Sequence, residues 1–136
     1  MFDVAFQRER LTLVFGETGT ELDFGALSHG DTAFVWGFLM DPRFVSELTG
    51  RLVSFAPAHI MGYRRVVERE GDKLDLRLVP DKNNCTSGVL LLGLTPEDRK
   101  ALDEFEQLGV VMESQPITAY VGDRAVSTSI YLHISR

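Results

Sequence analysis

The chain contains one cysteine, Cys85, so no disulfide can form within it, and a reducing compartment is the natural expectation. Cys85 lies in the polar stretch Asp81-Lys82-Asn83-Asn84-Cys85-Thr86-Ser87, with no partner base beside it, and reads as an incidental free thiol in a loop. His29, His59 and His133 stand at no ligand spacing, so neither a metal centre nor a cofactor is expected. Clusters of Lys and Arg are also missing; with a net charge of −6 and a pI near 5.0, this excludes the footprint of a nucleic-acid binder. The longest apolar runs, near Val35 and Leu90, are far too short to span a bilayer. Residues 1–10 carry Asp3, Arg8, Glu9 and Arg10 and lack the apolar centre of a signal peptide. P-loop, dinucleotide and nucleophile-elbow motifs are absent. The expectation is a cytoplasmic domain with no nucleic-acid or membrane partner.

What is present is an ordinary globular composition, 44% hydrophobic and 25% charged, over 136 residues. That length suits a single domain, residues 1–136, able to bury a core without staples. The pattern is centred on Ala33-Phe34-Val35-Trp36-Gly37-Phe38-Leu39-Met40-Asp41-Pro42. Ala33 to Trp36 reads as a buried strand, Gly37 as the bend after it, and Asp41-Pro42 as the cap and first position of a helix. A glycine turn of this kind either only redirects the chain or presents backbone N–H groups to an anion. The helix is expected to run from Pro42 to Thr49 and end at Gly50, with Val45, Leu48 and Leu52 at helical spacing.

Beyond it, Val53 to Met61 reads as extended but broken at Pro57. Glu70-Gly71-Asp72 forms a turn into Lys73-Leu74-Asp75-Leu76-Arg77-Leu78, whose strict alternation marks a half-buried hairpin strand. Pro80 to Ser87 is expected as a loop, and Gly88 to Leu92 as a buried strand. Thr95-Pro96-Glu97-Asp98 starts a second helix, expected to reach about Leu108 and stop at Gly109. A last hairpin runs from Ile117 to Val121, turns at Gly122-Asp123 and returns from Ala125 to Leu132. Residues 1–30 read as an N-terminal extension or a hairpin at about 11–24, either capping the core or helping to form a homo-oligomer. Few short helices among hairpin-connected strands make an α+β domain with a curved sheet or small barrel.

One acidic residue stands out. Glu106 is four positions from Leu102, beside the helix stripe formed by Leu102, Phe105 and Leu108. A glutamate at that edge is either part of a solvated acidic face with Asp103 and Glu104, or partly desolvated and usable as an acid and base near neutrality. Asp103, one turn earlier, adds like-charge repulsion, and Arg99 opposes it if it reaches. Arg64 and Arg65 read as an exposed strand face, with contact to an anionic substrate as the alternative.

Taken in order, these landmarks resemble the gamma-glutamylcyclotransferase-like family, in particular its gamma-glutamylamine type. Trp36-Gly37-Phe38-Leu39, followed by Met40-Asp41-Pro42, is similar to the family's Tyr-Gly-hydroxyl turn. Gly62-Tyr63-Arg64-Arg65, Val79-Pro80-Asp81 and Gly88-Val89-Leu90 follow in matching order. Leu102-Asp103-Glu104-Phe105-Glu106 resembles the family's Leu-Asp-x-Phe-Glu. The likeness covers about residues 33–132 and implies a small mixed or antiparallel β-barrel-like sheet with a few short helices. It implies cyclisation of a small γ-glutamyl amine or dipeptide to 5-oxoproline, with Glu106 as general acid/base. Trp36, Gly37, Phe38 and Leu39 are then implied to bind the substrate. Phe38 replaces the family's hydroxyl residue and Trp36 its tyrosine; Gln107 stands where a glycine often follows the glutamate; and Leu108 to Glu113 contains no tyrosine. The alternative is a non-catalytic member that binds a small carboxylate or acts as an assembly module.

Overall fold

Burial of the central apolar run sets the architecture. In the computed structural model, which describes residues 31–134, Asp31–Val35 form strand β1, and Ala33, Phe34 and Val35 are almost wholly buried. A single 3-10 turn, Phe38–Met40, then leads to helix α1, Pro42–Thr49. Asp41 caps this helix by accepting from the Arg43 N–H, and Gly50 ends it with φ of 76°. Strands β2 (Ser54–Glu70) and β3 (Lys73–Leu94) form one long hairpin, followed by helix α2 (Pro96–Phe105) and the hairpin of β4 (Met112–Val121) and β5 (Arg124–His133). The strands close into a barrel in the order β1-β3-β2-β4-β5. β1 seals it, antiparallel to β3 and parallel to β5, so the sheet is mixed. No helix among the described residues is long and apolar enough to cross a membrane. The N-terminal hairpin expected at about 11–24 lies outside the described residues.

Several expectations are corrected. Pro57 does not break its strand: β2 runs through it, with Pro57 opposite Val89. The other side of β2 pairs with β4 only at His59↔Tyr120, so the missing N–H falls where the strand is nearly an edge. Pro80 to Ser87 is not a free loop: it lies within β3, with Pro80 and Cys85 to Ser87 paired to β2 and Asp81 to Asn84 bulging out between them. Its polar residues are accommodated where the register shifts between Met61 and Tyr63, at Gly62 with φ of 87°. Cys85 therefore sits exposed on a strand, opposite Met61. Leu52 is 76% exposed, because the left-handed turn at Gly50 ends the helical spacing before it.

Helix α2 begins with a reciprocal capping box: the Thr95 side chain accepts from the Asp98 N–H, and Asp98 accepts from the Thr95 N–H. Arg51 also grips Asp98, donating to both carboxylate oxygens, and gives a further hydrogen bond to the Gly93 carbonyl. Burial pushes the Asp98 carboxyl up, but the hydrogen bonds from Arg51 and Thr95 outweigh it and hold the group below its usual range. The start of α2 is thereby tied to the end of α1. The Phe44 and Phe105 rings meet edge to face at 4.8 Å and join the two helices again near the other end of α2.

β1 lies very close to β3 at Gly88. A Cβ there would fall 2.4 Å from the Val35 carbonyl oxygen and 2.6 Å from the Phe34 ring. Gly88→Ala is therefore expected to destabilise the fold by about 1–3 kcal/mol, as overpacking against backbone does. Chemical denaturation of the two proteins measures it, and an unchanged midpoint would refute the close approach.

Candidate active site

The C-terminal end of α2 decides where Glu106 goes. The helix stops at Phe105 rather than near Leu108, and Glu106 is its C-cap. Gln107 adopts the left-handed conformation with φ of 54°, the one described non-glycine residue with positive φ. Its N–H donates to the Glu104 carbonyl at 3.2 Å, and the Leu108 N–H reaches back to Asp103 at 3.0 Å. This pair of bonds is a Schellman ending with Gln107 at its left-handed position. Gly109, expected to end the helix, instead serves the next turn with φ of 87°, its N–H donating to Met112.

This ending places Glu106 on the wall of a cavity of about 240 Å³. The turn after β1 contributes Trp36, Gly37, Phe38 and Leu39 to the same cavity. Every residue implied for the site by resemblance thus meets around one space. Leu39 is 1% exposed, so its side chain serves the core, whereas Phe38 is 53% exposed. The 3-10 turn closes through Met40 N–H to the Gly37 carbonyl and Asp41 N–H to the Phe38 carbonyl. Those two bonds do not use the N–H groups of Gly37 and Leu39. Neither lysine nor arginine is among the described residues lining the cavity, so the donors available to a carboxylate there are backbone N–H groups and the neutral or imidazole side chains of the lining, Gln107 and His133 among them.

Burial raises the Glu106 carboxyl to about 7. Repulsion from Asp103, expected from the sequence, is not the cause. Asp103 faces Arg99 at 3.6 Å and accepts a hydrogen bond from the Tyr131 hydroxyl. Arg99 also lies 3.5 Å from Asp31 and stands over the Tyr131 ring at 5.2 Å. The acidic face expected around Asp103, Glu104 and Glu106 is thus divided: Glu104 is exposed, Asp103 is paired, and Glu106 is half-buried in the cavity.

Other cavity residues carry little signal in the sequence. Tyr131, on β5, supplies a tyrosine although none follows Glu106 locally. It is 3% exposed, and its backbone carbonyl accepts from the Trp36 indole N–H at 2.8 Å, fixing that ring across the barrel closure. His133, also on β5, lies 6.1 Å from the Trp36 ring, with its Nε2 3.9 Å from Asp75. Burial lowers its pKa. Asp75 and Leu76 come from the β2–β3 hairpin, which leans over this end of the barrel. Spacing along the chain does not foretell these contacts. The alternation in β5 is the one clue, since it puts Tyr131 and His133 on the same side. His59 lies on β2, stacks on Tyr120 at 5.4 Å and does not line the cavity.

A family model described as "Gamma-glutamyl cyclotransferase, AIG2-like" matches residues 33–135. Two curated proteins of Arabidopsis thaliana are similar in sequence. AIG2-like protein C is 32% identical over 75 residues, 55% of this chain and 42% of that protein. AIG2-like protein D is 28% identical over 102 residues, 74% of this chain and 66% of that protein. The chain thus spans about two fifths to two thirds of the length of these relatives. Among solved structures, one of a gamma-glutamyl cyclotransferase superposes with a TM-score of 0.65 at 10% identity, over 76% of this chain and 66% of that one. At that identity the likeness concerns the fold.

Two expectations arise from the end of α2. Glu106 binds its proton more tightly folded, at about 7, than its ordinary value of 4.5. Stability therefore falls as pH rises between those values and levels off above about 7. Glu106→Gln should remove that slope and be more stable than the wild type at pH ~8 but not at pH ~4, by denaturation at both; equal slopes would mean Glu106 is solvated. Gln107→Gly should stabilise the fold by roughly 0.5–1 kcal/mol, because glycine adopts the left-handed position without strain. A loss of stability in the same assay would contradict the Schellman ending.

Proposed function

The chain belongs to the gamma-glutamyl cyclotransferase, AIG2-like family, and from that premise we propose that it cyclises a small γ-glutamyl compound to 5-oxoproline. The observation that carries the reading is the meeting of a half-buried Glu106, raised to about 7, with the Trp36–Leu39 turn around one cavity. The substrate class is a γ-glutamyl amine or dipeptide, and the leaving group is the amine or amino acid attached to the γ-carbonyl.

The α-ammonium of such a substrate has no lone pair to attack with until a proton is removed. Glu106, in its ionised form, takes that proton. The amine nitrogen then bonds to the γ-carbonyl carbon of the same molecule, closing a five-membered ring and moving the carbonyl electrons onto oxygen. Collapse of this intermediate breaks the bond to the leaving nitrogen, which receives the proton held by Glu106; the ring nitrogen gives up its own second proton, leaving the neutral lactam of 5-oxoproline and the leaving amine as its ammonium ion. A carboxyl titrating near neutrality has both forms available, as the two proton transfers require. The backbone N–H groups of the Trp36–Leu39 turn hold the substrate carboxylate or the developing oxyanion without reorganising. Because nucleophile and carbonyl belong to one molecule, holding the folded-back substrate conformation supplies much of the catalysis. Trp36 forms a wall of the site, and Phe38 makes its mouth apolar where the family turn carries a hydroxyl.

The test is 5-oxoproline release from a panel of γ-glutamyl amines and dipeptides. The wild type is expected to turn over at least one, and Glu106→Gln to lose about 10²-fold or more in kcat. For that substrate, kcat/KM should rise with pH to a plateau above about 7, as Glu106 loses its proton. Binding of 5-oxoproline without turnover of any panel member would favour the non-catalytic carboxylate binder instead.

A further inference from the structure

Arg64 and Arg65 are neighbours on β2 with different surroundings. Arg64 points to the bulge and faces Asp81 at 3.4 Å, an ordinary surface pair. Arg65 reaches the other way, to the turn after β1. Its Nε donates to the Trp36 carbonyl at 2.8 Å, and its Nη2 donates to the Ser87 carbonyl at 2.6 Å and approaches Met40 Sδ at 3.6 Å. Among the described residues no carboxylate pairs with this guanidinium; the residue as a whole is exposed, although desolvation where it meets the turn lowers its pKa from the ordinary value. Its two oxygen acceptors are both main-chain carbonyls. What it obtains there is control of one peptide plane.

The peptide joining Trp36 to Gly37 is trans. In a trans peptide the carbonyl and the following N–H point in opposite directions. Arg65 holds the Trp36 carbonyl on its own side and is not a cavity residue, whereas Gly37 is. The Trp36 indole N–H, bonded to the Tyr131 carbonyl at 2.8 Å, stops the residue from rotating as a whole. Gly37 needs such restraint, since a residue without Cβ has little intrinsic preference for one peptide orientation.

We infer that Arg65 is a positioning residue: by fixing the Trp36 carbonyl it aims the Gly37 N–H into the cavity, where it meets the substrate's carboxylate or oxyanion. The inference rests on the reading of the cavity as a γ-glutamyl site, but its first test does not. The amide 15N resonance of Gly37 responds to the hydrogen bond on the preceding carbonyl. Arg65→Met should shift that resonance and speed exchange of the Gly37 amide, while resonances of the β4–β5 hairpin stay in place. Arg65→Lys, whose ammonium reaches fewer of the three acceptors, should fall between. If the Gly37 resonance is the same in all three proteins, the inference is overturned, whether or not the protein is an enzyme.

The second test uses 5-oxoproline as the probe and, where turnover exists, the kinetics. Arg65→Met is expected to weaken 5-oxoproline binding and to lower kcat/KM by roughly 10²-fold, the scale of losing one aimed donor or misplacing a reacting group. Arg65→Lys should recover part of both, and the folded fraction by circular dichroism should match the wild type. A kcat/KM loss that only tracks the folded fraction, with 5-oxoproline affinity unchanged, would make Arg65 a structural staple and sink the proposal. A wild type that neither binds nor releases 5-oxoproline would refute the γ-glutamyl reading, and the Gly37 resonance would still decide what Arg65 does.

Discussion

Closure of the barrel by β1 is the constraint on which the rest of the structure depends. This five-residue strand must satisfy β3 on one side and β5 on the other, antiparallel to the first and parallel to the second. The demands of its burial explain Gly88, the one place where β3 must carry no side chain against the Phe34 ring and the Val35 carbonyl. They also explain why the chain must turn sharply at Gly37: past Val35 it leaves the ladder, and the next helix packs elsewhere. The site turn is thus the exit of the closing strand, held by the Trp36 indole to β5 and by the Trp36 carbonyl to β2. Anything that loosens barrel closure displaces the turn.

The second wall of the cavity is set by how α2 ends. The Arg51–Asp98 contact anchors one end of the helix and the Phe44–Phe105 contact the other. Glu106 keeps helical geometry as the C-cap, its N–H still bonded to the Leu102 carbonyl, and lines the cavity, while the Schellman ending at Gln107 turns the chain away directly after it. A carboxyl there loses water without gaining an ion pair, which is why its proton is held to about 7. Asp103, one turn away, has the opposite fate, since Arg99 and the Tyr131 hydroxyl meet it. Two carboxylates of one helix are thereby set apart by environment alone, a division of the kind that acid–base sites exploit.

The β2–β3 hairpin gives the domain its reach. Its paired rows continue from Ser54↔Leu92 at the barrel to Glu70↔Lys73 at the tip, and the register shift at Gly62 lets the arm change direction halfway. That bend brings Asp75 and Leu76 over the cavity and places Arg65 behind the Trp36 turn. The arm is therefore part of the site's frame, although its sequence reads as a plain amphipathic hairpin.

Much of this architecture is legible in local chemistry. The buried run at Ala33, the Asp41-Pro42 and Thr95-Pro96 helix starts, the turns at Gly71 and Gly122, and the last hairpin all follow from short-range rules, because caps and turns are decided by a few adjacent residues. The order of motifs points to Glu106 and the Trp36–Leu39 turn. Misreadings arise where neighbours in space override neighbours in sequence. Pro57 is tolerated because one edge of β2 is nearly open there, the polar stretch before Gly88 is held as a bulge between paired stretches of β3, and α2 stops early at a left-handed Gln107. The sequence by itself determined the two helix starts, the buried strand, most of the hairpins and the prominence of one glutamate. Only the tertiary structure decided that Glu106 is desolvated while Asp103 is paired, that Tyr131 and His133 join it, and that Arg65 grips the turn. The physical reason is that solvation, charge pairing and peptide orientation depend on groups from β2, β3, β5 and α2 that meet only once the barrel closes.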